Sequence, residues 1–262
     1  MKKQNKSALV KRILNLRWTA AALLFVLALW QLLVSCTSAS RTTPPPAPVI
    51  QYFLRAFFVP IGKYTMPVHI LWSLERVMIG FLSASVLGII VGVCMGRFRT
   101  FEAIIKPIFE LLRSIPPLAW IPLAILWFGI GELPKYFIIF IGAFTSVTLN
   151  AYDGARSVDP ELIGAGRMLG ANEGLIFVKI VLPHCVPHIF AGLQVALSTS
   201  WSAVLAAEMI RSSEGLGWII ITGNNTGNTT QIMAGMIAIA IIGLLLISIM
   251  RGLERGLCAW KM

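Results

Sequence analysis

Apolar residues run along this chain in blocks long enough to cross the hydrocarbon core of a bilayer, which takes roughly 20 residues of helix. The clearest blocks are Trp18 to Val34, Met78 to Met95, Tyr136 to Tyr152, Ile189 to Ala207 and Ile232 to Met250. A sixth, Pro107 to Ile130, is broken by Pro116 and Pro117 and carries Glu110 and Arg113. The pattern predicts an all-α, polytopic membrane protein with about six transmembrane helices. Residues 1–17 read as a basic, partly amphipathic cytoplasmic segment and 18–262 as one transmembrane domain.

Between the blocks the pattern changes character. Thr42 to Pro48 reads TTPPPAP, predicted to be a stiff non-helical connector because proline lacks the backbone donor and restricts its predecessor. Val49 to Leu74 mixes polar and aromatic residues, as short helices at the outer interface do. Within the second block, Gly80, Ala84, Gly88, Gly92 and Gly96 recur every four residues, a small-residue stripe that lets a neighbouring backbone approach closely. In the fifth, Gln194, Ser198, Trp201 and Glu208 fall near one helical azimuth and Gly192, Ala196, Ala203 and Ala207 near another. That division predicts a helix lying between a pathway and its neighbours.

Composition agrees with the pattern: of 262 residues, 57% are hydrophobic and 13% charged, against about 25% charged in soluble domains. A net charge of +11 would suit a nucleic-acid binder if read as a total. Read segment by segment, fifteen of the Lys and Arg residues fall on the side of the N-terminus, six on the opposite side, and Arg113 within a span. This positive-inside bias places both termini in the cytoplasm of a bacterial inner-membrane protein in contact with lipid, and needs no nucleic acid. Cys36, Cys94, Cys185 and Cys258 are distributed so that no disulfide framework follows. Leu33-Val34-Ser35-Cys36 has the look of a lipoprotein signal, but its removal would reverse the charge bias, so it is read as part of a retained first helix.

Two local groupings carry candidate chemistry. His184 and His188, four apart, could share a metal, but Pro183 and Pro187 disturb the helix and no glutamate completes a zinc motif, so no metal site is expected. Arg113 lies about 9 Å into the membrane if Pro107 marks the cytoplasmic edge. It either attracts an anion beside the half-helix that restarts after Pro117, or pairs with Glu110 three residues earlier. Glu208 and Arg211, also three apart, would form an outer gate or a structural pair.

The segment at about 153–186 is too polar to span and too regular for a linker. Asp159 can cap a helix whose first residues are Pro160 and Glu161, and Gly170 can end it. Leu162, Ile163, Ala165, Met168 and Leu169 supply apolar contacts for a groove on a partner. Gly164-Ala165-Gly166, Gly170 and Ile180-Val181-Leu182-Pro183 keep every interval of the pattern E-A-A, three residues, G, nine residues, I-x-L-P. In this the sequence resembles the permeases of ATP-binding-cassette importers. DPELIGAGRMLGA, PPLAWIPLAILWFGIGE from Pro116, WSAVLAAEMI from Trp201 and GLGWII from Gly215 resemble the nitrate/sulfonate/taurine branch.

The resemblance implies a type I importer permease fold and a non-catalytic subunit that moves a small anion such as taurine, an alkanesulfonate, nitrate or bicarbonate. It implies a second copy of the permease, two ATPase subunits holding ATP and Mg, and an extracytoplasmic binding protein as partners. No phosphate-binding G-x-x-x-x-G-K-[ST] occurs, so no cofactor is expected on this chain. The coupling residues are then Glu161, Ala165, Arg167, Met168, Leu169, Gly170, Leu182 and Pro183. The pathway candidates are Arg113, Gln194, Ser198, Trp201, Glu208 and Arg211. The family's glutamate is Gly164 here, so no role of that carboxylate carries over. A secondary transporter, marked by broken helices and buried charge, and a membrane-embedded enzyme are the rival readings; the spacing of the loop opposes the first.

Overall fold

A computed structural model describes residues 17–18, 21–22, 24–36, 43–210 and 212–257. Among them the chain is helical throughout, without a β-strand. We number the helices α1 (Leu24–Cys36), α2 (Pro46–Arg55), α3 (Met66–Arg97), α4 (Arg99–Arg113), α5 (Ile121–Phe128), α6 (Leu133–Arg156), α7 (Pro160–Met168), α8 (Glu173–Ile176), α9 (Leu182–Ile210), α10 (Leu216–Asn225) and α11 (Thr229–Leu257).

Each predicted apolar block is helical over most of its described residues. Four helices are long and apolar enough to cross a membrane: Met66–Arg97, Leu133–Arg156, Glu173–Ile210 and Thr229–Gly256. The proline-broken block is two helices, α4 and the Pro117–Phe128 segment, bent by 86°. The first block corresponds to the shorter α1. The boundaries differ from the sequence reading in three places, each for a physical reason. The TTPPPAP connector ends sooner than expected, because Pro46 and Pro48 open α2, where a helix needs no proline N–H. Residues 66–74 belong to α3 rather than to an interfacial segment, because His69, Ser73 and Arg76 are buried and hydrogen-bonded inside the bundle. Finally, Lys179 to Pro187 is helical, not loop. A π turn, Phe177–Val181, immediately precedes Pro183, whose missing N–H interrupts the hydrogen-bond ladder.

α6 forms the middle of the bundle, between α3 and α9, and α11 packs on α10, α2 and α9. The small-residue stripe of α3 is what brings α3 and α6 together. A Cβ on Gly92 would stand 2.4 Å from the Thr148 carbonyl oxygen and 2.7 Å from the Ala151 Cβ; one on Gly96 would stand 2.5 Å from the Ala155 Cβ. Such close backbone approach needs glycine. Where α3 ends, Glu102 of α4 accepts hydrogen bonds from Tyr152 (2.5 Å) and Arg156 (2.7 Å) of α6. α4 otherwise keeps Ile104, Ile108 and Leu111 exposed.

Candidate functional site

Three places hold the predicted residues. At the end of the bundle between α6 and α9, α7 forms as the sequence predicts. The Asp159 side chain accepts from the Glu161 N–H (2.9 Å), and Gly170 (φ 81°) turns the chain so that its own N–H reaches the Arg167 carbonyl and that of Ala171 reaches Gly166, both at 3.0 Å. These are the paired bonds of a Schellman end. Met168 and Leu169 are 86% and 88% exposed, with Glu161, Leu162, Ala165 and Arg167 also exposed. Ile163 instead packs inward against the buried group around Val158 and Ile176, and Leu182 supports the same group, so neither belongs to the exposed face. Pro183 is exposed.

Two substitutions relative to the motif have clear surroundings. Gly166 lets α7 lie on α8 and the π turn, since a Cβ there would meet Ile180 at 3.1 Å, whereas Gly164 has nothing within 4 Å. Glu173 ties this loop to the bundle: it accepts from Arg167 (Nη2 at 2.8 Å, Nε at 3.0 Å) and also pairs with Arg97 at the end of α3.

At the opposite end is a buried ionic cluster that sequence reasoning missed. Arg76 is fully buried. It forks onto Glu132 (Nε at 2.6 Å, Nη2 at 2.9 Å) and donates to Glu208 (2.8 Å) and to the Glu214 backbone carbonyl (3.0 Å), with the Glu214 carboxylate at 3.3 Å. Glu208 also accepts from Ser73 (2.8 and 2.9 Å) and from the Gly217 N–H (2.9 Å). Ser73 accepts from the Leu216 N–H (2.9 Å) and His69 Nδ1 from the Gly215 N–H (3.1 Å), leaving His69 Nε2 to donate to the Ile61 carbonyl (3.1 Å). Gly215 (φ 111°) brings the chain so close that a Cβ would lie 2.3 Å from the Glu208 carboxyl carbon, which accounts for the first glycine of GLGWII. Burial pushes the Glu132 carboxyl up, but hydrogen bonds from Arg76 and Lys135 outweigh it and hold the group below the usual carboxylate range. Among the described residues Glu208 pairs with Arg76 of α3; Arg211 lies outside the described residues.

The pathway candidates are not one polar stripe. Gln194 donates to Glu254 of α11 (2.7 Å), and the buried Trp201 donates to the Ile239 carbonyl (3.3 Å), so both fasten α9 to α11. Arg113 is exposed and paired with Glu110 at 3.3 Å. Ser198 alone of the α9 set faces open space, in a cavity of about 250 Å³ shared with Pro117, Leu118, Thr199, Ser202 and Ala203. The rings of His184 and His188 stack 5.9 Å apart and His184 Nε2 lies 3.2 Å from Ser157 Oγ; no cluster of metal-ligating groups occurs among the described residues.

Known proteins resemble this arrangement. The family model for the binding-protein-dependent transport system inner membrane component matches residues 84–257. The taurine transport system permease protein TauC of Escherichia coli is 35% identical over 250 residues, covering 95% of this chain and 86% of that protein. The nitrate import permease protein NrtB of Synechocystis sp. is 34% identical over 232 residues, 87% of this chain and 84% of that one. Among solved structures, the inward-facing MetNI methionine ABC transporter superposes with a TM-score of 0.62 at 23% identity, covering 72% of this chain and 95% of that chain.

Proposed function

This chain belongs to the family of binding-protein-dependent transport system inner membrane components, and from that membership we propose that it carries a small anion of the taurine, alkanesulfonate or nitrate kind into the cell. It is the non-catalytic, membrane-spanning permease subunit of an ABC importer, with a type I permease fold; ATP is hydrolysed by a separate subunit. In the working assembly two copies pair around a central pathway, two ATPases carrying ATP and Mg dock on the cytoplasmic face, and an extracytoplasmic binding protein delivers the anion. The anion class rests on the substrates named for TauC and NrtB.

The observation that carries the reading is α7: a capped, rigid helix end holding Ala165, Met168 and Leu169 out from the bundle, with Arg167 and Glu161 beside them. Exposed large apolar side chains on a folded surface mark a docking face. Gly170 makes a poor probe, since any side chain there strains a left-handed turn. Met168→Asp combined with Leu169→Asp leaves the backbone unstrained and is expected to abolish co-purification with the ATPase and uptake, while the permease still inserts. Unchanged association and uptake would remove α7 from the coupling surface.

Orientation is tested separately. Tags at Asn172 and at both termini should be reached only from the cytoplasm, and a tag at Ala47 only from outside; the reverse labelling would overturn the topology. Within the pathway, Ser198 lines the route and Arg113, neutralised by Glu110, borders it. Gln194, Trp201 and Glu208 position α9.

A further inference from the structure

The 86° bend between α4 and the Pro117–Phe128 segment leaves a gap against α9. The turn at its apex is firmly seated. A Cβ on Gly142 of α6 would meet Pro117 at 3.6 Å and the Ala203 side chain at 3.9 Å, so the turn rests where α6 and α9 both come close. The cavity above it is walled by Pro117, Leu118 and Ala203 and by three hydroxyls, Ser198, Thr199 and Ser202, gathered within little more than one turn of α9. At about 250 Å³ it holds a small ion together with several waters, each taking roughly 30 Å³ of liquid volume.

The open face of α9 carries Val195, Ser198, Ser202 and Met209, all exposed and spaced by three, four and seven residues. Its polar groups are therefore confined to the level of this cavity, with apolar side chains on either side. Among the described residues no ionisable group lines the cavity. Thr199 donates to the Ala196 carbonyl at 3.0 Å and the Gly142 carbonyl at 3.2 Å, and Ser202 to the Ser198 carbonyl at 3.2 Å. The Ser198 hydroxyl has no hydrogen-bond partner among the described residues and is free to donate into the cavity.

We propose that this cavity is a binding site for a small oxyanion in transit, such as a sulfonate or nitrate, with the Ser198 hydroxyl as its donor; Thr199 and Ser202, whose protons go to backbone carbonyls, line it without charge, and Ser202 can turn its proton to the ion if Ser198 is lost. The proposal rests on the importer reading and adds the site to it. A hydroxyl gives an anion a charge-assisted hydrogen bond without the opposite charge that would retain it, and passage requires binding strong enough to enter and weak enough to leave. No lysine or arginine that would trap the ion lines the cavity among the described residues.

The test uses the assembled complex in proteoliposomes, with uptake of taurine and of nitrate as probes and with co-purification and ATP hydrolysis measured alongside to distinguish failed assembly from failed passage. Ser198→Ala combined with Ser202→Ala is expected to lower uptake of the transported anion by about tenfold or more, the usual scale for a lost hydrogen bond to a charged group. In a background lacking Cys36, Cys94, Cys185 and Cys258, Ser198→Cys should react with an anionic sulfonatoethyl thiol reagent faster than with its trimethylammonium analogue. Normal uptake by the double variant overturns the proposal. So does a Ser198→Cys variant whose thiol reacts only with an uncharged, membrane-soluble maleimide, which would make the groove a lipid-facing one. A wild-type complex that imports neither anion counts against the anion-importer reading instead, and the labelling arm still reads the cavity.

Discussion

Arg76→Met is expected to destabilise the subunit by about 3–5 kcal/mol, the cost of breaking a buried ion pair from one side. The guanidinium is fully buried and satisfies three carboxylates reached from different elements: Glu132 before α6, Glu208 near the end of α9 and Glu214 before α10. Methionine keeps much of the volume but leaves Glu208 fully buried beside Glu132 and Glu214, with Lys135 as the one cation still in contact with the cluster among the described residues, on Glu132. The double replacement Arg76→Met and Glu208→Met removes both members of the deepest pair and should recover a large part of the loss, because well-packed apolar side chains often substitute for a buried pair without penalty. Denaturation of the purified subunit in detergent, run as a double-mutant cycle, reads this directly. Additive single effects would mean that the two groups are not energetically paired. Glu208→Gln should be milder, since the amide oxygen can still accept from Ser73 or from the Gly217 N–H.

Gly92→Val should have an effect of comparable size through packing alone. Even the first carbon of a side chain at this position would overlap the Thr148 carbonyl oxygen at 2.4 Å, and backbone cannot rotate away as a side-chain tip can. α3 and α6 would have to separate along the length of their contact. Overpacking costs typically about 1–3 kcal/mol where side chains can yield, and a backbone obstacle belongs at or above the upper end. Gly164→Ala is the matched control: nothing lies within 4 Å of its Cβ, and alanine favours helix over glycine by up to about 1 kcal/mol. The measurement is the fraction of each variant that remains monodisperse on detergent extraction. Equal behaviour of the two would show that the α3–α6 contact is looser than its geometry.

The contrast between these two glycines indicates how far the sequence could be read. The four-residue recurrence from Gly80 to Gly96 predicted that something would approach α3 closely, and it did. Nothing in one chain's local pattern identified α6 as the approaching helix. α7 was legible in detail because its information is local: Asp159, Pro160 and Gly170 act through neighbours within a few residues. The proline break was legible for the same reason. Arg76 was not, because its partners lie 56, 132 and 138 residues away along the chain.

Hydropathy therefore began the second span short of Arg76 and offered Glu208 no partner beyond the neighbouring Arg211, which lies outside the described residues. The signals that could have corrected this were the spacing of His69, Ser73 and Arg76 on one helical face and an acid enclosed by the apolar run ending at Ile210. In α9, azimuth placed Gln194, Ser198 and Trp201 near one another. It could not tell which edge of that sector α11 would cover, and only Ser198 was left open.

The long separation of Arg76 from its carboxylates has a consequence for how the subunit is made. A ribosome delivers α3 to the membrane with its guanidinium unpartnered. It supplies Glu132 only 56 residues later, and Glu208 after a further interval that takes the total to 132. Until then the nascent chain holds an arginine that must reach for the interface or for water. A product stopped before Glu132 carries that unmet charge permanently, a chemical mark by which membrane quality control can tell an unfinished subunit from a finished one.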